Sequence, residues 1–248
     1  MNRDNSYRCS HQSPMRGEYY DELFETSSWV KFIWQREQDT LVKVLNDFYR
    51  NKKITLLDFA CGTGRITEFL EDKVNYSTSV DVSESMLKIA RKKLKLTKII
   101  KADLTNNNIL IGKKYNLITA FRFFLNAELE LRREVLEVIV SLLSQDGYFL
   151  FNIHQNWGSP IVKLKYLYSK LKLNDNYNVL CVREMNILLK EFGLEIVKIY
   201  PIGFLRTPKL ELPEDVYNRI ENIILKFKLF TQLSESPIII TQFINNKK

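Results

Sequence analysis

From Ile54 onward the chain alternates short apolar runs with amphipathic stretches, and that alternation restricts it to a sheet covered by helices. The apolar runs, expected as strands, are residues 54–59, 76–80, 98–101, 117–121, 148–153, 194–200 and 238–243. Between them Ser83 stands where it can cap a helix whose Leu87, Ala90 and Leu94 share one face. Leu131, Val135, Val138 and Leu142 form a second helical stripe, which Gly147 is expected to end. No proline interrupts the chain from Met15 to Ser159. The reading is α/β, with a doubly wound, mostly parallel sheet.

Ahead of this pattern, residues 1–17 are polar and read as a flexible terminus. Residues 18–50, with Tyr19, Tyr20, Phe24, Trp29, Phe32 and Trp34 followed by Leu41, Val44, Leu45 and Phe48 at helical spacing, read as a helical cap or lid. Beyond Trp157 the pattern loosens into helices about 159–192 and 205–230, expected on the substrate side of the domain 51–248.

Composition narrows the function classes. Hydrophobic residues at 45% and charged residues at 27% suit a globular protein. With a polar opening and no run of roughly 18 apolar residues, a cytoplasmic protein without a membrane span is expected. Cys9, Cys61 and Cys181 show no Cys-x-x-Cys spacing, and His11 and His154 are the only histidines, so neither a disulfide framework nor a metal site is expected. A net charge of +8 favours anionic partners. The basic run at 88–101 reads as a solvated helix face; a nucleic-acid footprint fits less well, since no aromatic residue interrupts the run for base stacking.

The chemistry concentrates after the first run, in Asp58-Phe59-Ala60-Cys61-Gly62-Thr63-Gly64-Arg65. Two of only eight glycines stand there, where a glycine permits a sharp turn and the close approach of a ligand to a helix N-terminus. Asp81 follows the second strand, where a carboxylate can accept ribose hydroxyls, and Asp103 follows the third, within reach of a purine amine. An adenosine-shaped ligand is implied. Thr67 stands where a dinucleotide loop has its third glycine, and Asp58 is poorly placed beside a pyrophosphate but suits an ammonium group. No Gly-Lys-Ser/Thr signature of nucleotide hydrolases is present.

These three segments together, Asp58 to Gly64, Val80 to Leu87 and Ala102-Asp103-Leu104, resemble the cofactor motifs of class I S-adenosylmethionine-dependent methyltransferases. The departure is Ala60, where the family commonly has glycine. The resemblance implies a Rossmann-like sheet of order 3-2-1-4-5-7-6 with the last strand antiparallel, and S-adenosyl-L-methionine as cofactor. By position it implies Asp58 at the amine, Gly62 and Gly64 along the methionyl part, Asp81 at the ribose hydroxyls, and Asp103 and Leu104 at adenine, with Ala60, Arg65, Val82 and Met86 also expected to bind the cofactor. Phe121, and Tyr20 and Arg36 from the cap, are further candidates for cofactor contact.

The acceptor should enter at the ends of the fourth and fifth strands. Arg122, Phe123 and Asn126 follow the fourth; His154, Asn156 and Trp157 follow the fifth. His154 is the candidate general base, its alternative being a strand-capping histidine, and Arg122 is suited to an anionic group or to bracing its loop. Phe124 reads as core. The segment Ala120 to Asn126 resembles a stretch found in bacterial methyltransferases acting on small molecules or glycans, and it lacks the Asn/Asp-Pro-Pro-Tyr motif of enzymes that methylate DNA amines. Transfer to an oxygen or nitrogen of a small-molecule or glycan acceptor is therefore expected. The alternatives are a nucleic-acid methyltransferase and a cofactor-binding protein without transfer activity.

Overall fold

A computed structural model of the chain describes residues 26–171, 178–204, 212–227 and 232–245. Every expected strand is present: β1 (Thr55–Phe59), β2 (Tyr76–Asp81), β3 (Lys98–Lys101), β4 (Tyr115–Ala120), β5 (Leu143–Asn152), β6 (Leu194–Tyr200) and β7 (Ile238–Phe243). They form one sheet in the order β3-β2-β1-β4-β5-β7-β6. All neighbours are parallel except β7, which runs antiparallel to both β5 and β6. The direction of strand succession reverses between β1 and β4, which opens a crevice at the carboxyl ends of those strands.

Helices cover both faces: α1 (Ser28–Phe48), α2 (Arg65–Leu70), α3 (Glu84–Lys93), α4 (Leu129–Leu142), α5 (Pro160–Leu171), α6 (Val182–Glu191) and α7 (Glu214–Ile224). Alternate residues of a strand point to opposite faces, so Leu57 and Phe59 of β1 join the core under α4 and α6, whereas Leu56 joins the core under α1 and α7. With both faces buried, the central strands read as unbroken apolar runs.

The described part of the expected cap is a core helix. Ser27 starts α1 by accepting a hydrogen bond from the Val30 amide at 3.4 Å. Trp29, Phe32, Ile33, Leu41 and Val44 then bury against the sheet, and Tyr217 of α7 packs edge-on to Trp29 at 5.1 Å. This apolar face is long enough to be held by the sheet itself; Tyr19 and Tyr20 lie outside the described residues.

Gly147 does not end α4, which passes directly into β5 at Leu143. The glycine sits within the strand, where a Cβ would come within 3.0 Å of the Ser144 carbonyl and 3.1 Å of Asn116 Cα, so close approach of the chains explains it. The basic run spans α3 and β3 and is largely solvated. Arg91, Lys92 and Lys93 occupy the last turn of α3, where cations oppose the negative end of the helix dipole. Arg91 and Lys101 both pair with Glu84. No described helix is long and apolar enough to cross a membrane.

Candidate functional site

The turn after β1 is built from three left-handed residues, Ala60 (φ 53°), Gly62 (φ 57°) and Gly64 (φ 82°). Ala60 therefore adopts the conformation for which glycine is usual, at a strain of about 1 kcal/mol. Cys61 ties the turn to the sheet through its amide, which donates to the Val80 carbonyl at 3.1 Å. Burial, aided by Asp81 and Asp58, pushes the Cys61 thiol well above its ordinary pKa, so it stays protonated and is no nucleophile.

Three carboxylates fix the loops around the turn. Asp58, 2% exposed, accepts from the Thr67 hydroxyl at 2.6 Å and from the Thr119 hydroxyl at 2.7 Å, bracing β1 to α2 and β4. Thr67 also lies 2.7 Å from Ser79 Oγ. The residue that replaces the third glycine of a dinucleotide loop thus has a positive role. Burial raises the Asp58 pKa to about 6 against the opposing effect of the two hydroxyls and the Arg65 charge. Asp81 accepts the Gly62 amide at 2.8 Å on one oxygen and the Ser83 amide at 2.8 Å on the other. Burial raises its pKa, while these amides and that of Val82 restrain the rise. Asp103 forms a turn of its own by accepting from the Thr105 hydroxyl at 2.6 Å and from Asn106 Nδ2 at 2.7 Å.

A cavity of about 260 Å³ lies at the carboxyl ends of these strands. Asp58, Ala60, Gly62, Arg65, Asp81, Val82, Met86, Asp103, Leu104 and Phe121 all line it, as do Arg122, Phe123, Asn126 and His154 from the expected acceptor side. Three separate sequence motifs therefore meet on one surface. Gly64 is set back from the lining, against Leu94 and Ala90 of the α3 region.

On the acceptor side, Arg122 is held at φ 58° by its amide, which donates to Asn152 Oδ1 at 2.6 Å. Phe123 packs edge-on against Phe59 at 5.7 Å, and Phe124 is fully buried core, 5.0 Å from Phe151. Asn126 Nδ2 reaches the Arg122 carbonyl at 3.5 Å. His154 is half-buried at the cavity wall, yet it is enclosed tightly enough that burial, and secondarily the Arg122 charge, lower its pKa to about 3. Its imidazole is neutral at physiological pH, with a buried Nδ1 that has no hydrogen-bond partner among the described residues.

Three other candidates are placed elsewhere. Arg36 donates to the Asn218 carbonyl at 3.3 Å and to Asn222 Oδ1 at 2.8 Å, joining α1 to α7. Asn156 is buried and spends its amide on the Gln232 and Ser234 carbonyls and the Gly158 amide. Trp157 packs against Tyr166 at 5.2 Å. None of the three lines the cavity, and no described residue of α5, α6 or α7 does so.

Sequence reasoning passed over Thr63, Thr119, Glu37 and Asn152. Thr63 lines the cavity with a buried hydroxyl that has no partner among the described residues. Glu37 had a legible signal: Ile33, Glu37, Leu41 and Val44 share one helical face, and a charge on an apolar face requires a buried partner. That partner is Arg65, whose Nη1 lies 2.5 Å from Glu37 Oε2 and whose guanidinium stacks on Trp34 at 4.2 Å.

Comparison with known proteins agrees with this geometry. Residues 56–147 match the family model described as a methyltransferase domain. A relative from Geobacillus sp. (strain WCH70), named as a methyltransferase, is 30% identical over 146 residues, or 56% of each chain. An uncharacterized methyltransferase of Alkaliphilus oremlandii (strain OhILAs) is 25% identical over 52% of this chain and 59% of its own. The chain thus spans little more than half the length of these curated relatives. Among solved structures, magnesium protoporphyrin IX methyltransferase from Synechocystis PCC 6803, crystallised with bound SAH, superposes with a TM-score of 0.64 over 94% of this chain and 96% of its own at 14% identity. That likeness is one of fold.

Proposed function

We propose, from the premise that this chain carries a class I S-adenosylmethionine-dependent methyltransferase domain, that it binds S-adenosyl-L-methionine in the cavity and transfers its methyl group to an oxygen or nitrogen of a small-molecule or glycan-type acceptor. The observation that carries the reading is the convergence of Asp58, Asp81 and Asp103, from the ends of three successive strands, on one cavity. On this reading Asp58 would meet the methionyl ammonium, Asp81 the ribose, and Asp103 with Leu104 adenine. The acceptor would enter beside Arg122, Phe123, Asn126 and His154.

The acceptor's lone pair would form the new bond to the methyl carbon as the carbon–sulfur pair returns to sulfur, giving S-adenosylhomocysteine, and the acceptor's proton would pass to solvent, directly or by way of His154. The sulfonium is already a good leaving group, so the protein contributes alignment and the exclusion of water, for which Phe121 and Phe123 supply an apolar wall.

Titration calorimetry with S-adenosylmethionine tests the cofactor site, and its pH dependence tests Asp58. In the free protein Asp58 protonates near pH 6. A cationic ligand beside it lowers that pKa, so the complex binds fewer protons than the free protein and affinity rises with pH. The expected gain is roughly tenfold from pH 5 to 7, with a plateau above. Asp58→Asn should remove this step; a step that persists in the variant assigns it to another group.

His154 is proposed to contact the acceptor, as a hydrogen-bond acceptor and weak base. His154→Ala should lower methyl transfer by roughly tenfold to a hundredfold while cofactor affinity persists. With a pKa of about 3, its titration should leave no inflection in the rate near pH 6.5. Unchanged turnover in the variant would remove His154 from the reaction.

A further inference from the structure

Among the buried residues of α1, Glu37 alone is charged, and it is completely shielded from solvent. It belongs to neither loop of the cavity, yet both reach it. Its Oε2 accepts from Arg65 Nη1 at 2.5 Å, at the start of α2 just beyond the glycine turn. Its Oε1 accepts from Asn152 Nδ2 at 3.3 Å, and Asn152 Oδ1 in turn accepts the Arg122 amide at 2.6 Å, where the chain turns left-handed after β4. Arg65 and Arg122 both line the cavity.

We propose that Glu37 is a positioning residue whose carboxylate ties the loop after β1 to the loop after β4 and so sets the spacing of the cofactor and acceptor sides of the cavity. The inference rests on the function proposed above. The physical basis is that both links are buried: Asn152 is fully shielded and Arg65 is 9% exposed. In such surroundings a charge-assisted hydrogen bond is directional and poorly replaced by water. Asn152 has a fixed amide orientation here, because its oxygen faces the Arg122 amide and its nitrogen faces a carboxylate. A rearrangement at either loop is therefore felt at the other through one side chain of α1.

The substitutions separate length from charge. Glu37→Gln keeps the reach, but its single oxygen can face only one of the two donors. Glu37→Asp keeps the charge but is one methylene too short to span both. Because breaking the buried pair takes away the carboxylate that Arg65 Nη1 meets, Glu37→Leu with Arg65→Leu serves as a third variant that removes both members of the pair. Tyr49→Phe is the control; it deletes a hydrogen bond of 2.5 Å to the Asn116 carbonyl at the amino end of β4, away from the cavity.

Two measurements, made well below each variant's unfolding midpoint, decide the matter: calorimetric affinity for S-adenosylhomocysteine and amide hydrogen exchange. The Glu37 variants should bind roughly tenfold more weakly and exchange faster in both 60–65 and 121–126. Asn152→Ala should accelerate only 121–126, and Tyr49→Phe neither. Unchanged affinity with exchange altered in one loop only, or acceleration spread evenly over the chain, would overturn the proposal. Failure of the unaltered protein to bind S-adenosylhomocysteine would instead sink the proposed function, and the exchange pattern would still decide the role of Glu37.

Discussion

Gly64→Val should lower the midpoint of thermal unfolding by roughly 10 °C, whereas Gly62→Ala should lower it by only about 3 °C and weaken cofactor binding at least tenfold. The two glycines look alike in sequence but differ in surroundings. At Gly64, φ is 82° and a Cβ would approach Leu94 Cδ1 to 3.1 Å and Ala90 Cβ to 3.2 Å. Left-handed strain of about 1–2 kcal/mol then adds to about 1–3 kcal/mol of overpacking between the turn and α3. At Gly62, φ is 57° and the position of a Cβ is open, in a residue that lines the cavity. Ala60 already occupies a left-handed conformation in the same turn at about 1 kcal/mol, so Gly62→Ala adds a similar strain but no overpacking. The cost at Gly62 therefore falls mainly on ligand approach, with the smaller left-handed strain falling on folding. Thermal unfolding and calorimetry on the two variants check this division; a Gly62→Ala protein that binds S-adenosylmethionine unchanged would show that the ligand does not approach this backbone.

Asp81→Ala is expected to reduce S-adenosylmethionine affinity by about a hundredfold or more. The carboxylate holds the Gly62 and Ser83 amides, and charged hydrogen bonds contribute about 1.5–3 kcal/mol each. Its removal both loosens the turn and deletes the proposed acceptor for the ribose hydroxyls. Asp81→Asn should fall between, because one oxygen remains while the new amide group faces a donor. Calorimetry reads the affinity directly; a loss below tenfold in Asp81→Ala would take Asp81 out of the ribose site.

Much of the fold was legible because its signals are local. Strand and helix periods follow from the exposure each side chain must have, and the boundaries of β3, β6 and β7 coincide with the expected runs. Gly147 was misread because a helix terminator and a glycine forced by a neighbouring strand carry the same letter; only the proximity of Asn116 distinguishes them. Arg36, Asn156 and Trp157 do not line the cavity. Each has a partner that local spacing does not reveal: Asn222 for Arg36 and the Ser234 carbonyl for Asn156, both from distant segments, and Tyr166 of the next helix for Trp157.

The sequence alone determined the order of the elements, the three acids and the turn of small residues, because strand ends in a doubly wound sheet place their following residues at one edge. It also excluded a phosphate-binding loop. Tertiary structure alone decided what those residues do to one another. It gave Asp58 two hydroxyl partners and a pKa of about 6, made His154 a neutral imidazole, and separated a packed Gly64 from an open Gly62. It also joined Glu37 to both loops of the cavity. Burial, hydrogen-bond satisfaction and the space around a Cβ are properties of neighbours brought together by the sheet, and so are absent from local spacing.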